Sequence, residues 1–182
     1  MRKPIITILL LAFVSAFCYI AFSQDATKPG TLRYKVPAGW VEEERSSSMR
    51  VAQFKLPRAE ADTEDASLVL YYFGKGQGGT ASANVERWAS QIQQPDGTKA
   101  KMTEESFTAN GLKVTTVDGA GTYVAESAPG SGEFLNKPAF RLRAAVIETP
   151  NGSYYVKLVG PEKTVAHWND AFLSYLKSFE FK

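Results

Sequence analysis

Gly74-Lys75-Gly76-Gln77-Gly78-Gly79 matches the pattern G-x-G-x-x-G. Glycines at that spacing let backbone N–H groups close on a phosphate at a helix N-terminus. The hexad lies between an apolar run and an amphipathic one, which is the right local setting. The wider setting is wrong. A dinucleotide site needs a parallel strand–helix–strand return with an acidic strand end, and here hairpin signals follow instead. The G-x-x-x-x-G-K-[ST] loop is absent. The hexad therefore reads as a turn before a helix, or as a looser anion site built from backbone N–H groups and Lys75. Asn84, Arg87 and Gln91 follow at i, i+3 and i+7. With Lys75 they form the polar cluster best suited to hold a small ligand. The competing reading is a solvated helix flank, or Arg87 tied to an acidic loop.

No catalytic constellation emerges. His167 is the single histidine, and it falls off the apolar stripe of the last helix. General-base or triad chemistry needs a nucleophile and an orienting partner that the pattern does not supply. Ser131 sits between glycines without the G-x-S-x-G spacing. Asp62, Glu64 and Asp65 lack the spacing and turn glycine of a calcium loop. Glu104 and Glu105 are adjacent on an expected strand, so they face opposite ways. The reading calls for no cofactor and no metal. Arg141 and Arg143 share a strand face, where they could bind an anion or pair with carboxylates.

These residues need elements to position them. Thr31–Val36 reads as a first strand, stopped by Pro37-Ala38-Gly39, and Trp40 is expected to pack on the core edge. Arg50–Leu56 alternates as a half-buried strand, and Ser67–Phe73 is continuously apolar, as in a strand covered on both faces. Thr80–Ile92 carries Ala81, Val85, Trp88 and Ile92 at helical spacing. Met102–Ala109 and Leu112–Val117 flank the turn signal Asn110-Gly111, with a bulge expected around Asp118–Gly121. Glu126–Pro138 is a long Ser-, Pro- and Gly-rich loop carrying Phe134-Leu135. Those two residues either cover a groove, meet a partner or pin the loop. Phe140–Glu148 and Ser153–Val159 surround Asn151-Gly152, the clearest hairpin signal. A final helix starts at Gly160-Pro161-Glu162 and runs to Phe179. Hairpins dominate, so the expected fold is α+β, a mostly antiparallel sheet packed by helices.

The chain opens with a different kind of segment. Met1-Arg2-Lys3 is cationic, Ile5–Phe22 is apolar almost without break, and Ala21-Phe22-Ser23 offers small residues for cleavage before Gln24. This is the pattern of a secretion signal. Residues 1–23 are read as the signal, 24–30 as a linker and 31–182 as one domain. The same run is just long enough to remain as a membrane anchor. Lipidation at Cys18 is disfavoured by the bulky Phe17 before it. Loss of Arg2 and Lys3 brings the 21 basic residues level with the 19 acidic ones, and loss of Cys18 removes the only cysteine. The exported domain is thus neutral and thiol-free. That excludes disulfides and cysteine chemistry. It also argues against nucleic acid, which demands a basic surface.

Pro37-Ala38-Gly39-Trp40, Gly78-Gly79 with Asn84, Arg87, Trp88 and Gln91, and Lys157-Leu158-Val159-Gly160-Pro161 with Trp168, Phe172 and Ser178-Phe179 together resemble a group of uncharacterised exported bacterial proteins. In layout that group is similar to the Mog1/PsbP-like fold. The resemblance implies a curved antiparallel sheet between helices, an α/β/α sandwich. It implies no job, because one fold serves many functions. The expected function is an exported, non-catalytic binding or accessory domain. Its partner would be an unknown protein or small molecule, with membrane contact only if the leader stays. The alternatives are a hydrolase with acids or serines assembled by the fold, or a small-ligand carrier.

Overall fold

The computed structural model describes residues 30–127 and 130–182. The expected signal and most of the linker lie outside the described residues. Ten strands and three helices follow in the order β1 (Leu32–Arg33), β2 (Val41–Glu42), β3 (Arg50–Leu56), β4 (Ala66–Tyr72), α1 (Ala81–Ala89), β5 (Ile92–Gln93), β6 (Thr103–Ala109), β7 (Leu112–Tyr123), β8 (Lys137–Thr149), β9 (Gly152–Pro161), α2 (Glu162–His167), α3 (Asn169–Lys177) and β10 (Glu180–Phe181). The main sheet runs β2-β3-β4-β9-β8-β7, and both β6 and β5 pair with β7. Every pairing among the described strands is antiparallel. This α+β layout is the expected one, with the curved sheet lying between helices.

Alternation along β8 explains the three layers. Ala145 and Ile147 face one side, where they join Phe172, Tyr175 and Leu176 of α3. Leu142, Ala144 and Val146 face the other, where they join Trp88 of α1. A strand with apolar residues on both faces must be covered on both. The short pair β1–β10 closes the larger core, where Leu32 opposes Phe181.

Two turns show how local chemistry sets register. Asn110 and Gly111 both take positive φ, 48° and 83°, and join β6 to β7 as the sequence signal requires. Asn110 Nδ2 also donates to Phe179 O at 2.9 Å, so the turn anchors the chain after α3. The β8–β9 hairpin is present too, but Thr149 opposes Gly152, so its turn residues are Pro150-Asn151. Pro150 fixes its own φ and Gly152 takes 112°, which shifts the turn one residue back from the expected Asn-Gly pair. The bulge expected in β7 is a register shift between Gly121 and Tyr123. A Cβ at Gly121 would lie 2.4 Å from Gln93 O, so only glycine lets β5 pair there.

The differences lie at element ends. The first strand is only Leu32–Arg33, not Thr31–Val36. Helix α1 stops at Ala89, and Ile92 already belongs to β5. The terminal helix is broken at Trp168, whose indole Nε1 donates to Pro57 O at 2.9 Å. That tertiary bond orients the residue at the break. Trp40 is buried and packs against Tyr175 with ring centroids 5.0 Å apart, as its place after the turn suggests.

The acidic loop before β4 is spent on structure. Helix α2 has no side-chain cap of its own. Asp62 supplies one from outside, accepting from Thr164 N at 2.7 Å and Thr164 Oγ1 at 2.6 Å. Glu64 pairs with Lys137, and Asp65 accepts from Arg58 N at 2.8 Å. Asp62→Ala should therefore cost about 1–2 kcal/mol, the range of a lost N-terminal cap. Urea unfolding measures it, and a change below 0.5 kcal/mol (the ordinary scatter of surface substitutions) would refute the capping role.

Candidate functional site

A cleft of about 680 Å³ opens on the α1 face of the sheet. Its floor comes from β3, β4 and β9, one wall from the end of α1, and the other from residues 123–127 with Phe134 and Leu135. The register aligns the floor. Arg50 opposes Tyr71, and Tyr71 opposes Tyr155, so one row crosses β3, β4 and β9. Lys157 lies two residues beyond Tyr155 on the same face, directly opposite the small Ala144.

Three cations line this cleft: Arg50, Arg87 and Lys157. None is ion-paired among the described residues. Lys157 Nζ donates to Gln91 Oε1 at 2.6 Å and Tyr123 OH at 2.9 Å, both neutral, and sits 5.0 Å from the Tyr123 ring centroid. Arg50 donates to Gln53 Oε1 at 2.5 Å, and its guanidinium lies 5.7 Å from the Tyr71 ring centroid. Arg87 donates to Asn84 Oδ1. Glu126 is the only acid among the lining residues, and its carboxylate accepts from Gly130 N at 2.9 Å.

The electrostatic consequence is a strained lysine. Burial, then the charges of Arg87 and Arg50, pull the Lys157 pKa down from its ordinary value to about 8. Burial and the neighbouring Tyr71 push the Tyr123 hydroxyl up to about 12. Tyr123 is thus a neutral hydrogen-bond partner at physiological pH and leaves the ammonium uncompensated. The cleft thus gathers three cations against one carboxylate, Glu126, which makes no ion pair with any of them among the described residues.

The four residues singled out by the sequence divide evenly. Arg87 and Gln91 line the cleft. Asn84 does not, for it is 2% exposed and its Nδ2 donates to Gly78 O at 2.8 Å and Thr80 O at 2.9 Å. It satisfies carbonyls stranded by the glycine turn, and it positions Arg87. Lys75 is exposed on the turn and is not among the lining residues. The turn itself is packed down, since Tyr155 OH donates to Gly79 O at 2.8 Å. At Gly78 a Cβ would meet the Tyr155 ring at 2.6 Å, so the glycine serves a close approach.

Arg50, Tyr71, Tyr123 and Lys157 escaped the sequence reading. One signal was available. Lys157 is the sole charge between Ser153 and Pro161, and it shares a strand face with Tyr155 and Val159. A lone lysine on a face that packs a helix is a buried polar group needing explanation. Arg141 and Arg143 form a separate cluster on the opposite face. Asp118 accepts from Arg141 Nε at 2.7 Å and lies 3.2 Å from Arg143 Nε. Both arginines are ion-paired with Asp118, as the carboxylate alternative anticipated. His167 is exposed. Among the described residues no helix is long and apolar enough to cross a membrane.

No protein-family model matches this sequence, and no curated protein matches it significantly. Solved structures do match in shape. LpqN of Mycobacterium tuberculosis, involved in cell envelope biogenesis, superposes with a TM-score of 0.55 at 11% identity, covering 87% of each chain. The protein PA94 of Pseudomonas aeruginosa, of unknown function, gives 0.47 at 15% identity over 85% of each chain. The PsbP protein of Synechocystis sp. PCC 6803, CyanoP, gives 0.48 at 14% identity over 85% of this chain and 93% of its own. At such identities the likeness to LpqN is one of fold: a curved antiparallel sheet with helices on its faces, and not a shared task.

Proposed function

We propose that the chain is an exported, non-catalytic binding domain, and that its ligand is a small molecule carrying a negative charge. The observation that carries this reading is the cleft: Arg50, Arg87 and Lys157 converge on it without a carboxylate partner among the described residues. Lys157 is half-buried beside two further cations, Arg50 and the exposed Arg87, and an anion in the cleft would relieve that repulsion. Gln91 Oε1 and Tyr123 OH accept from Lys157 Nζ and orient it. No residue beside it forms the nucleophile–base pair that turnover by acyl transfer requires. Export is inferred from the leader. LpqN, which shares the layout, is involved in cell envelope biogenesis, and an exported accessory domain suits that setting.

The test is a titration with acetate and with inorganic phosphate, followed by NMR of arginine and lysine side-chain nitrogens. Saturable shifts at Arg50, Arg87 and Lys157 are expected, with Lys55 and Lys113, paired to Asp65 and Glu148, unaffected. Arg87→Gln should weaken binding about tenfold, the loss expected for one charge-assisted hydrogen bond. Uniform, unsaturable shifts at all lysines would reject the site.

A further inference from the structure

We infer that the cleft takes a flat aromatic carboxylate, its ring laid against the Tyr71–Phe73 side of the floor and its carboxylate held by the cations; this rests on the reading above that the cleft is an anion site. Size is the first observation. About 680 Å³ is far more than acetate or phosphate fills, and falls in the ~300–1,000 Å³ range of sites for organic ligands. The ligand therefore has a body as well as a charge.

The walls say what kind of body. The Tyr71 and Phe73 rings are nearly parallel, 6° apart with centroids separated by 5.9 Å, and both line the cleft. Arg50 and Lys157 lie over tyrosine rings at 5.7 Å and 5.0 Å. Cations and ring faces thus alternate around one space. A planar ring stacks on aromatic faces, while a carboxylate at its end meets the planar forks of Arg50 and Arg87. Aliphatic lining is sparse: Val124, Ala125 and Leu135 are the aliphatic residues that touch the space. A flexible alkyl chain would find little to pack against.

The lip supplies a third observation. Phe134 lines the cleft yet is 67% exposed, the largest exposure among the big apolar side chains of the described residues. It is nevertheless held in place. Ser127 N donates to Glu133 O at 2.8 Å, and Leu135 N donates to Ala125 O at 2.9 Å. A positioned, uncovered phenyl ring at the mouth has apolar surface to bury against an incoming ring.

Calorimetry on the purified protein at pH 7 tests this with four probes: naphthoate, naphthylmethanol, decanoate and acetate. Naphthoate should bind saturably, and about tenfold or more tighter than each of the others, a ratio that either stacking or the charge-assisted bonds alone could supply. Phe134→Ser alters an exposed side chain and leaves the fold intact. It should weaken naphthoate about three- to fivefold, the loss of part of one aromatic contact, without changing acetate. If naphthoate, decanoate and acetate bind alike, the aromatic assignment is overturned and the anion site stands. If naphthylmethanol binds as tightly as naphthoate, the anion site falls as well. Failure of every probe to bind overturns both. Unchanged naphthoate affinity in Phe134→Ser removes the lip from the site and overturns that part of the assignment.

Discussion

Phe172→Ala is expected to lower the unfolding free energy by about 3–5 kcal/mol, near the ceiling for a single core truncation. Phe172 is fully buried on α3. It packs in the larger core with Phe179, Leu158 and Ile147. Removing its ring leaves a cavity that the sheet, fixed by pairing on both sides of β9, cannot easily close. A second cost is electrostatic. The Arg143 guanidinium, 6% exposed, lies 4.9 Å from the Phe172 ring centroid. Its Nε sits 3.2 Å from Asp118 Oδ2 but makes no aligned hydrogen bond. Burial already pulls the Arg143 pKa below its ordinary value. The ring face is part of what compensates that charge. Equilibrium urea unfolding gives the number, with Phe134→Ala as the exposed control, expected within about 0.5 kcal/mol of wild type. A loss below about 2 kcal/mol at Phe172 would show that the core relaxes into the space.

Lys157→Met should separate stability from binding. Methionine approximates the length of the lysine stem and suits the aromatic walls. At pH 7 the variant loses the desolvated ammonium, and with it the bonds to Gln91 and Tyr123. The balance is expected to favour the variant by about 1–2 kcal/mol, because an unpaired buried charge generally costs more than two neutral hydrogen bonds return. Anion affinity should fall tenfold or more, since the innermost cation is gone. The pH dependence carries a definite sign. Folded Lys157 releases its proton near pH 8, while the unfolded chain releases it near the ordinary lysine value of 10.5. Between these limits the unfolded state binds more protons, so wild-type stability rises with pH relative to the variant. Below pH 8 the penalty is present in full, and above about 10.5 it is gone. The wild-type-minus-variant difference should change by no more than about 3 kcal/mol across that window, at ~1.4 kcal/mol per pKa unit. Thermal unfolding from pH 7 to 10.5 measures it. A flat difference, or a variant less stable than wild type at pH 7, would mean that the ammonium is well solvated.

The two variants probe opposite faces of one sheet, and those faces were unequally legible in the sequence. The α3 side could be read directly. Val165, Trp168, Phe172, Tyr175, Leu176 and Phe179 announce a broad apolar stripe, and all but the half-buried Trp168 are buried. Its break at Trp168 could not be read, and the indole there is oriented by a bond to Pro57, more than a hundred residues away in the chain. The α1 side was harder. Asn84 looked like part of an exposed polar flank. It is buried because the preceding glycine turn leaves carbonyls that its amide must satisfy. The helix also ends at Ala89, so the apolar periodicity that ran on to Ile92 mixed a helix with a strand. Short pairings such as β1–β10 and β5–β7 carry no periodicity at all, and are created by their partners.

By itself, the sequence determined the antiparallel, hairpin-rich class and the register of the β6–β7 turn. It also determined that residues 24–182 carry equal numbers of basic and acidic side chains. These follow from local rules: turn residues impose backbone angles on their neighbours, alternation imposes faces, and charge is a count. It offered Arg87 and Gln91 as candidates without saying what they faced. Only the tertiary structure decided that they meet Lys157, Arg50 and Tyr123, which come from three other strands separated by up to about a hundred residues. It also decided that Asp62 caps a distant helix. The physical reason is that electrostatic and packing energies depend on distance in space. Chain order sets that distance only within one turn or hairpin, and sheet pairing sets it everywhere else.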